Sequence, residues 1–174
     1  LVLDLVDKGL VTDQMVLTVG YDIENLTDPA RRAKYHGAVE TDHYGRQIPK
    51  QAHGSINLDG HTSSTRKIMC AMSKLFDRIV DKNLLVRRMY VVANHVLPET
   101  DAPKKNDGAV QLDLFTDYAA EEEKQKAEDA ALERERKIQK AALAIKKKYG
   151  KNAILKAMNL EEGATAKDRN AQIG

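Results

Sequence analysis

Alternation of apolar and polar residues in short segments is the feature that most constrains the fold of this chain. QMVLTVGYD at residues 14–22 and HGSINLDG at residues 53–60 alternate with a period of two. LLVRRMYVVANHVLP at residues 84–98 is rich in Val and closes at Pro98. Because a period of two turns successive side chains to opposite faces of a strand, the sequence predicts three strands that each have one buried face.

Two amphipathic segments predict the helices that cover such a sheet. LVLDLVDKGL opens the chain and meets Gly9 where a helix would stop, and TRKIMCAMSKLFDRIV at residues 65–80 has Ser63 or Ser64 as its N-cap. Residues 23–52 are polar, broken by prolines and glycines, and predicted to be irregular. The order helix, strand, strand, helix, strand predicts an α+β fold, an antiparallel sheet with two helices on one face.

One face of this sheet is then left open, and its residues follow from parity. The residues predicted to face the helices are Leu85, Met89, Val91 and Ala93. The outward residues are then Arg88, Tyr90 and Asn94, beside Thr18, His53, Ser55 and Asn57. Such a face is either ordinary solvated surface or a binding surface, and the pattern leaves both interpretations open.

A phosphate-binding interpretation arises where GHTSSTRK opens the second helix. Backbone N–H groups, hydroxyls and cations converge there, and Arg87 and Arg88 in the last strand add further donors. The alternative is simply a well-capped helix. The candidate residues at the helix start are Ser63, Ser64, Thr65, Arg66 and Lys67.

Composition narrows the function classes. The 28 basic and 26 acidic residues nearly cancel to a net charge of +2, so only a local concentration of charge can indicate nucleic-acid binding.

The chain has a single cysteine, Cys70, which excludes an internal disulfide. Cys70 is predicted to be a core or boundary residue of its helix. The five histidines are scattered without metal-ligand spacing, and no catalytic constellation is found. No apolar run approaches the ~20 residues of a membrane helix, and no signal peptide is recognisable.

A short apolar motif follows a proline-containing linker. Residues 99–110 are predicted to be a flexible linker of up to ~40 Å. The five residues after it begin with a polar glutamine and end with apolar side chains, which is typical of a linear motif that fills a pocket on a partner protein. The alternative is that they dock on their own domain. They are Gln111, Leu112, Asp113, Leu114 and Phe115.

A charged helix is predicted after the motif, over residues 117–149. Its start is acidic and its end basic, which suits the helix dipole at both termini, and Gly150 ends it. Residues 150–174 are predicted to form a short helix, NAILKAMNL, followed by a polar, mobile tail.

These segments together resemble the C-terminal part of a bacterial Y-family translesion DNA polymerase of the SOS mutagenesis type. The matching stretches are LTVGYD, HGSINLDGHTSSTRKIMCAMSKLF and LLVRRMYVVANHVLP. Residues 1–98 resemble its little-finger domain, although that domain has a further strand before its first helix. QLDLF at 111–115 resembles the motif that binds the sliding clamp.

The resemblance implies a DNA-binding fragment acting in DNA repair and SOS damage tolerance, in the cytoplasm at the nucleoid. The parent protein would be a DNA-directed DNA polymerase, a nucleotidyltransferase, whose magnesium belongs to a palm domain that this sequence lacks. The fragment would therefore need no cofactor and carry no catalytic residue. Its implied partners are primer–template DNA and the bacterial sliding clamp, with no membrane. The implied phosphate contacts are Ser55, Asn57, Ser63 to Lys67, Arg87 and Arg88.

Two rival interpretations remain open. The chain could be a non-catalytic adaptor whose long helix binds other proteins, including further mutagenesis proteins, with the α+β domain as a scaffold. An RNA-binding module on a similar sheet usually needs several exposed aromatic side chains for base stacking, and Tyr90 is the clear candidate on the open face.

Overall fold

A computed structural model describes residues 1–103 and 118–172 and divides the chain into two compact units. The sheet unit is Leu10–Asn106. The helical unit combines Leu1–Gly9 with Asp107–Gly174.

The sheet unit is built on an antiparallel sheet in the strand order β4 (Ala52–Thr62), β1 (Leu10–Tyr21), β5 (Val86–Asn94), with β6 (Leu97–Pro98) paired to the start of β1. The predicted α+β class with an antiparallel sheet is therefore confirmed, and each predicted strand segment contains a strand. Helix α4 (Thr65–Ile79) packs on this sheet, mainly over β4.

The core lies between α4 and one face of the sheet. Leu17, Val19 and Tyr21 alternate along β1 and are buried against Leu75 of α4 and Val80 just after it. Burying a large aliphatic side chain stabilises the fold by roughly 1.5–3 kcal/mol, so this cluster is the main source of stability for the unit. Gly54 lets α4 lie close to β4, since a Cβ at this position would lie 3.1 Å from Ile79 Cγ2 and 3.2 Å from Leu75 Cδ1, and these side chains would have to shift to accommodate it.

Helix α4 begins at a side-chain cap. Ser64, rather than Ser63, is the N-cap residue, and its Oγ accepts a hydrogen bond of 3.2 Å from the backbone N–H of Lys67. Cys70 is exposed on this helix. The prediction of a core or boundary position for Cys70 is therefore wrong, because α4 turns Ile68 and Leu75 to the sheet instead.

The segment predicted to be irregular, 23–52, forms four short elements. The two helices follow β1 directly, and the two strands pair as an antiparallel hairpin before β4 begins. Asp28 caps the second helix by accepting the Arg31 N–H at 2.8 Å. The elements are α2 Glu24–Thr27, α3 Pro29–Arg32, β2 Val39–Thr41 and β3 Gln47–Pro49.

The helical unit contains α1 (Val2–Asp7), α5 (Tyr118–Tyr149) and α6 (Ala166–Gln172). Helix α1 contacts α5, and Lys147 forms an ion pair with Asp7. The predicted placement of α1 beside α4 on the sheet therefore differs from the structure, where α1 belongs to the unit of the long helix.

The end of the chain is more ordered than the sequence suggests. A 3-10 turn at Ala157–Leu160 occupies the predicted short helix, and α6 lies within the predicted mobile tail. Asn152 ties this region together by donating to the Lys167 carbonyl at 3.0 Å and accepting from Asn170 at 2.9 Å. Within residues 1–103 and 118–172, no helix combines the length and the apolar character that crossing a bilayer requires.

Candidate nucleic-acid interface

The face of the sheet opposite α4 carries the residues that parity predicted. Gln14, Val16 and Thr18 of β1 lie opposite Asn57, Ser55 and His53 of β4. On the other side of β1, Thr18 pairs with Tyr90 and Gly20 with Arg88. His53, Ser55, Asn57, Arg88 and Tyr90 are exposed.

Hydrogen bonds fix the polar side chains of this face. Gln14 Nε2 donates to Asn57 Oδ1 at 2.8 Å, and Asn94 Nδ2 donates to Gln14 Oε1 at 2.9 Å, so one row of amides crosses three strands. Thr18 Oγ1 lies 2.8 Å from His53 Nδ1. An amide group has more donors and acceptors than this row uses, so the exposed Asn57 amide still presents donor N–H groups outward.

A β-bulge decides the position of the two arginines. The register between β1 and β5 shifts so that Gly20 pairs with Arg88 and Tyr21 with Val86, which leaves Arg87 as the extra residue. In a regular strand the two side chains would point to opposite faces. Because of the bulge, both Arg87 and Arg88 line one cavity at this end of the sheet.

Arg88 is the more available of the two cations. Its guanidinium lies over the Tyr90 ring at 5.4 Å, and within the described part of the chain it contacts no carboxylate. A glycine opposite makes room for this side chain, since a Cβ on Gly20 would lie 3.2 Å from Arg88 Cγ. The sequence pattern did not indicate that Gly20 leaves space for the Arg88 side chain.

Arg87 is held by a carboxylate. Its Nη1 lies 3.3 Å from Asp22 Oδ2. The backbone N–H of Glu24, donating to Asp22 at 3.0 Å, and the Arg87 guanidinium hold the pKa of Asp22 below its ordinary value. Asp22 therefore stays ionised at neutral pH and offsets the Arg87 charge, so Arg87 is a weaker anion-binding candidate than Arg88.

A buried asparagine that sequence reasoning missed supports this region. Asn25 is 1% exposed, and its Nδ2 donates to the carbonyls of Asp22 at 2.9 Å and Leu85 at 3.0 Å. Its Oδ1 accepts the Leu85 N–H at 2.9 Å. Leu85 was predicted to face the helices, but it is tied to Asn25 just before β5, and Leu84 packs against the core instead.

Met89, Val91 and Ala93 lie opposite the core-facing residues of β1, as predicted. Met89 and Val91 are nevertheless 51% and 41% exposed. The reason is that α4 packs on β4 and β1, while β5 forms one edge of the sheet. Arg78 of α4 donates to the Ser55 carbonyl at 2.6 Å and so covers the backbone of the opposite edge strand, β4.

The predicted helix-start cluster, Ser63 to Lys67, lies at the far end of the sheet. Thr62 pairs with Thr12 near the start of β1, whereas Arg88 pairs with Gly20 near its end. At a rise of ~3.3 Å per residue, the eight steps from Thr12 to Gly20 span roughly 26 Å. The two cationic clusters therefore cannot bind the same phosphate, and the open polar face lies between them.

A carboxylate flanked by two imidazoles lies near the helix-start cluster. Sequence analysis did not identify this group either. Asp13 Oδ1 is 2.8 Å from His95 Nδ1, and Asp13 Oδ2 is 3.7 Å from His61 Nε2. His95 adopts a φ of 50°, which is uncommon for a residue other than glycine. No sequence signal pointed to this cluster, because its three members are separated by dozens of residues.

The predicted clamp-binding residues, Gln111 to Phe115, lie outside the described residues. Within residues 1–103 and 118–172, no group of three or more His, Cys, Asp or Glu side chains is arranged to hold a metal ion. Comparison of the chain with protein-family models, with curated proteins and with solved structures finds no match in any of the three.

Proposed function

We propose that the sheet unit binds primer–template DNA through its phosphate backbone and that QLDLF tethers the chain to a bacterial sliding clamp. The chain would then be the non-catalytic C-terminal part of a translesion DNA polymerase that acts in damage tolerance. The observation that carries the proposal is Arg88, an exposed guanidinium without a carboxylate partner in the described part of the chain, beside an open face of amides and hydroxyls.

The chemistry of this face suits phosphate binding more than base reading. Guanidinium groups, hydroxyls and amide N–H groups all donate to phosphate oxygens, and such contacts position a protein without carrying sequence information. Binding of this kind tolerates any template sequence and many damaged bases, which is what bypass synthesis needs.

The spacing of the cationic clusters defines the expected footprint. Arg88 and the start of α4 are separated by roughly 26 Å along β1, while phosphates of one DNA strand follow each other every ~3.4 Å along the duplex axis. A duplex lying along β1 would therefore be contacted over about eight base pairs. Ser55 and Asn57 lie between the ends and would contact the backbone in the middle.

A salt titration of the full chain tests DNA binding. Arg66, Lys67, Arg87 and Arg88 are the candidate phosphate contacts. Asp22 partly offsets the charge of Arg87, and Arg66 and Lys67 also have contacts of their own within the protein. At about 0.9 per phosphate, three to four neutralised phosphates predict a log–log slope of about −2.7 to −3.6, so affinity for labelled primer–template DNA falls about 40- to 150-fold between 50 and 200 mM salt.

Substitution of Arg88 locates the contact. Arg88→Ala is expected to flatten the slope by about 0.9 and to weaken binding equally for unrelated DNA sequences. Lys74→Ala is the matched control, because Lys74 is an exposed cation on α4, on the other side of the sheet. An unchanged slope for Arg88→Ala, or affinity that does not depend on salt, would contradict the proposal.

The tether acts by raising local concentration. Burial of Leu112, Leu114 and Phe115 in a pocket contributes roughly 5–9 kcal/mol at ~1.5–3 kcal/mol each. Ordering a short segment when it binds costs about 2–5 kcal/mol, so binding would be weak and exchangeable. A weak motif joined to a weak DNA-binding face gives high combined affinity when both are engaged, and allows release when either is lost.

A further inference from the structure

The hairpin of β2 and β3 presents an exposed aromatic side chain beside the arginine cavity. Tyr44 at the hairpin tip is 78% exposed, the highest exposed fraction among the large hydrophobic side chains of residues 1–103 and 122–172. Single exposed hydrophobic side chains are ordinary on protein surfaces, so the surroundings of the ring decide whether it can bind a ligand. The neighbouring His43 ring meets it edge-on at a centroid distance of 5.4 Å.

A cation contacts one face of the Tyr44 ring. The Arg46 guanidinium lies 5.1 Å from the centroid of the Tyr44 ring. Arg46 is itself fixed by Asp42, whose Oδ2 accepts from Arg46 Nε at 2.9 Å and from Nη2 at 2.7 Å. One face of the ring is thus occupied by a cation that cannot move away easily, which orients the ring for a further planar group.

The tip is ordered by its own hydrogen bonds. Asp42 Oδ1 accepts the backbone N–H groups of Tyr44 and Arg46, each at 2.9 Å, and Gly45 closes the turn with a φ of 77°. At the base, the buried Tyr35 donates its hydroxyl proton to the Ala38 carbonyl at 2.5 Å. A rigid platform loses little conformational entropy when a ligand binds, so Tyr44 is prepared for stacking.

A cationic cavity of about 220 Å³ adjoins the tip. Arg46, Arg87 and Arg88 line it, together with Tyr44 and His43. Arg46 pairs with Asp42 and Arg87 pairs with Asp22, so among the three guanidinium groups that line the cavity Arg88 is the one whose charge no carboxylate of the described residues offsets. The cavity is therefore suited to a phosphate, and the ring beside it is suited to the base that the phosphate carries.

We propose that this hairpin platform binds unpaired nucleotides of single-stranded DNA, with a base stacked on Tyr44 and its phosphate at Arg88. Base–aromatic stacking tolerates any base, and it requires a base that is not already stacked in a duplex. The inference deepens the proposed function: it assigns to the end of the DNA-binding face a contact with the unpaired strand at a primer–template junction.

Equilibrium binding to two DNAs tests this inference: a blunt duplex, and the same duplex with a 5′ overhang carrying 2-aminopurine. The full chain is expected to bind the overhang DNA at least about fivefold more tightly, as one stacked base requires, and to quench the 2-aminopurine fluorescence. Tyr44→Ala is expected to remove both the preference and the quenching, while Tyr44→Phe keeps them. Tyr149→Ala is the matched control, because Tyr149 is also an exposed tyrosine beside a cation.

The outcomes separate the two proposals. If Tyr44→Ala retains the preference for the overhang, or if the unaltered chain shows none, the platform inference is wrong. If Arg88→Ala still weakens binding of the blunt duplex in that case, the proposed function stands without the platform. If the unaltered chain binds neither DNA, both proposals are wrong.

Discussion

Replacement of Asn25 by alanine is expected to destabilise the sheet unit more than its position in a short helix suggests. The Asn25 side chain is 1% exposed and makes three hydrogen bonds with the backbone of Asp22 and Leu85. After Asn25→Ala, the Leu85 carbonyl keeps the bond of 2.8 Å from the Asp22 N–H. The Leu85 N–H loses the partner that Asn25 provides, and alanine also leaves a small void.

The magnitude follows from those bonds. Each hydrogen bond contributes about 0.5–1.5 kcal/mol net, and a buried N–H left without a partner costs about 1–3 kcal/mol. We expect Asn25→Ala to lower the free energy of unfolding by about 3 kcal/mol. With an m value of about 2 kcal/mol/M, the urea midpoint of the sheet unit falls by about 1.5 M.

Because the chain has two units, the measurement must report on the sheet alone. Amide hydrogen exchange of β1 and β5 residues as a function of urea provides this. Asn83→Ala is the matched control, because Asn83 is exposed and its side chain bonds only to Asp81 at 3.0 Å among the described residues. A midpoint for Asn25→Ala no lower than that of Asn83→Ala would refute the reasoning.

Two further predictions concern the motif and the hairpin. Leu114→Ala combined with Phe115→Ala should abolish sliding-clamp binding in a pull-down or titration while duplex affinity changes less than about twofold; retained clamp binding would exclude the motif. The Arg46 guanidinium and the tip N–H groups hold the pKa of Asp42 below its ordinary value of 3.8. Its stabilisation of the tip is thus complete at neutral pH and disappears only as pH falls through that lowered value. Amide exchange at Tyr44 and Arg46 checks this, and loss of protection near pH 5 would contradict it.

The strands and α4 were predictable because their signals are local. In β4 the odd residues His53, Ser55 and Asn57 are exposed and the even ones turn to α4, which is the alternation visible in the sequence. The capping serine and the helical spacing likewise define α4 without any knowledge of its neighbours. Such patterns need only a polar side and an apolar side, whatever the partner is.

The hairpin was missed because its strands are too short for a periodic signal. Val39–Thr41 and Gln47–Pro49 have three residues each, and all three in the first strand are exposed. What holds them is a set of specific bonds, those of Asp42 at the tip and of Tyr35 at the base. Specific bonds of this kind depend on three-dimensional placement that no spacing rule describes.

The placement of α1 and of Arg87 shows a second limit. The apolar face of α1 indicates that it must be buried, but not against which element, and in the structure α1 belongs to the helical unit, where it contacts α5. Strict parity puts Arg87 on the face opposite Arg88, and one bulge brings both to the same cavity. Parity arguments therefore hold only between bulges.

On the proposed function, tasks would be divided along β1 of the sheet unit. At the Thr12 end and across the middle, the candidate groups are hydroxyls, amides and cations, which would bind any phosphate backbone equally. At the Gly20 end, an arginine cavity adjoins an oriented aromatic ring, and only a nucleotide with an unstacked base can use both. A duplex would therefore bind in many registers along the sheet, whereas a junction between duplex and single strand would bind in one. The hairpin would then fix the position of the junction between paired and unpaired DNA relative to the sheet.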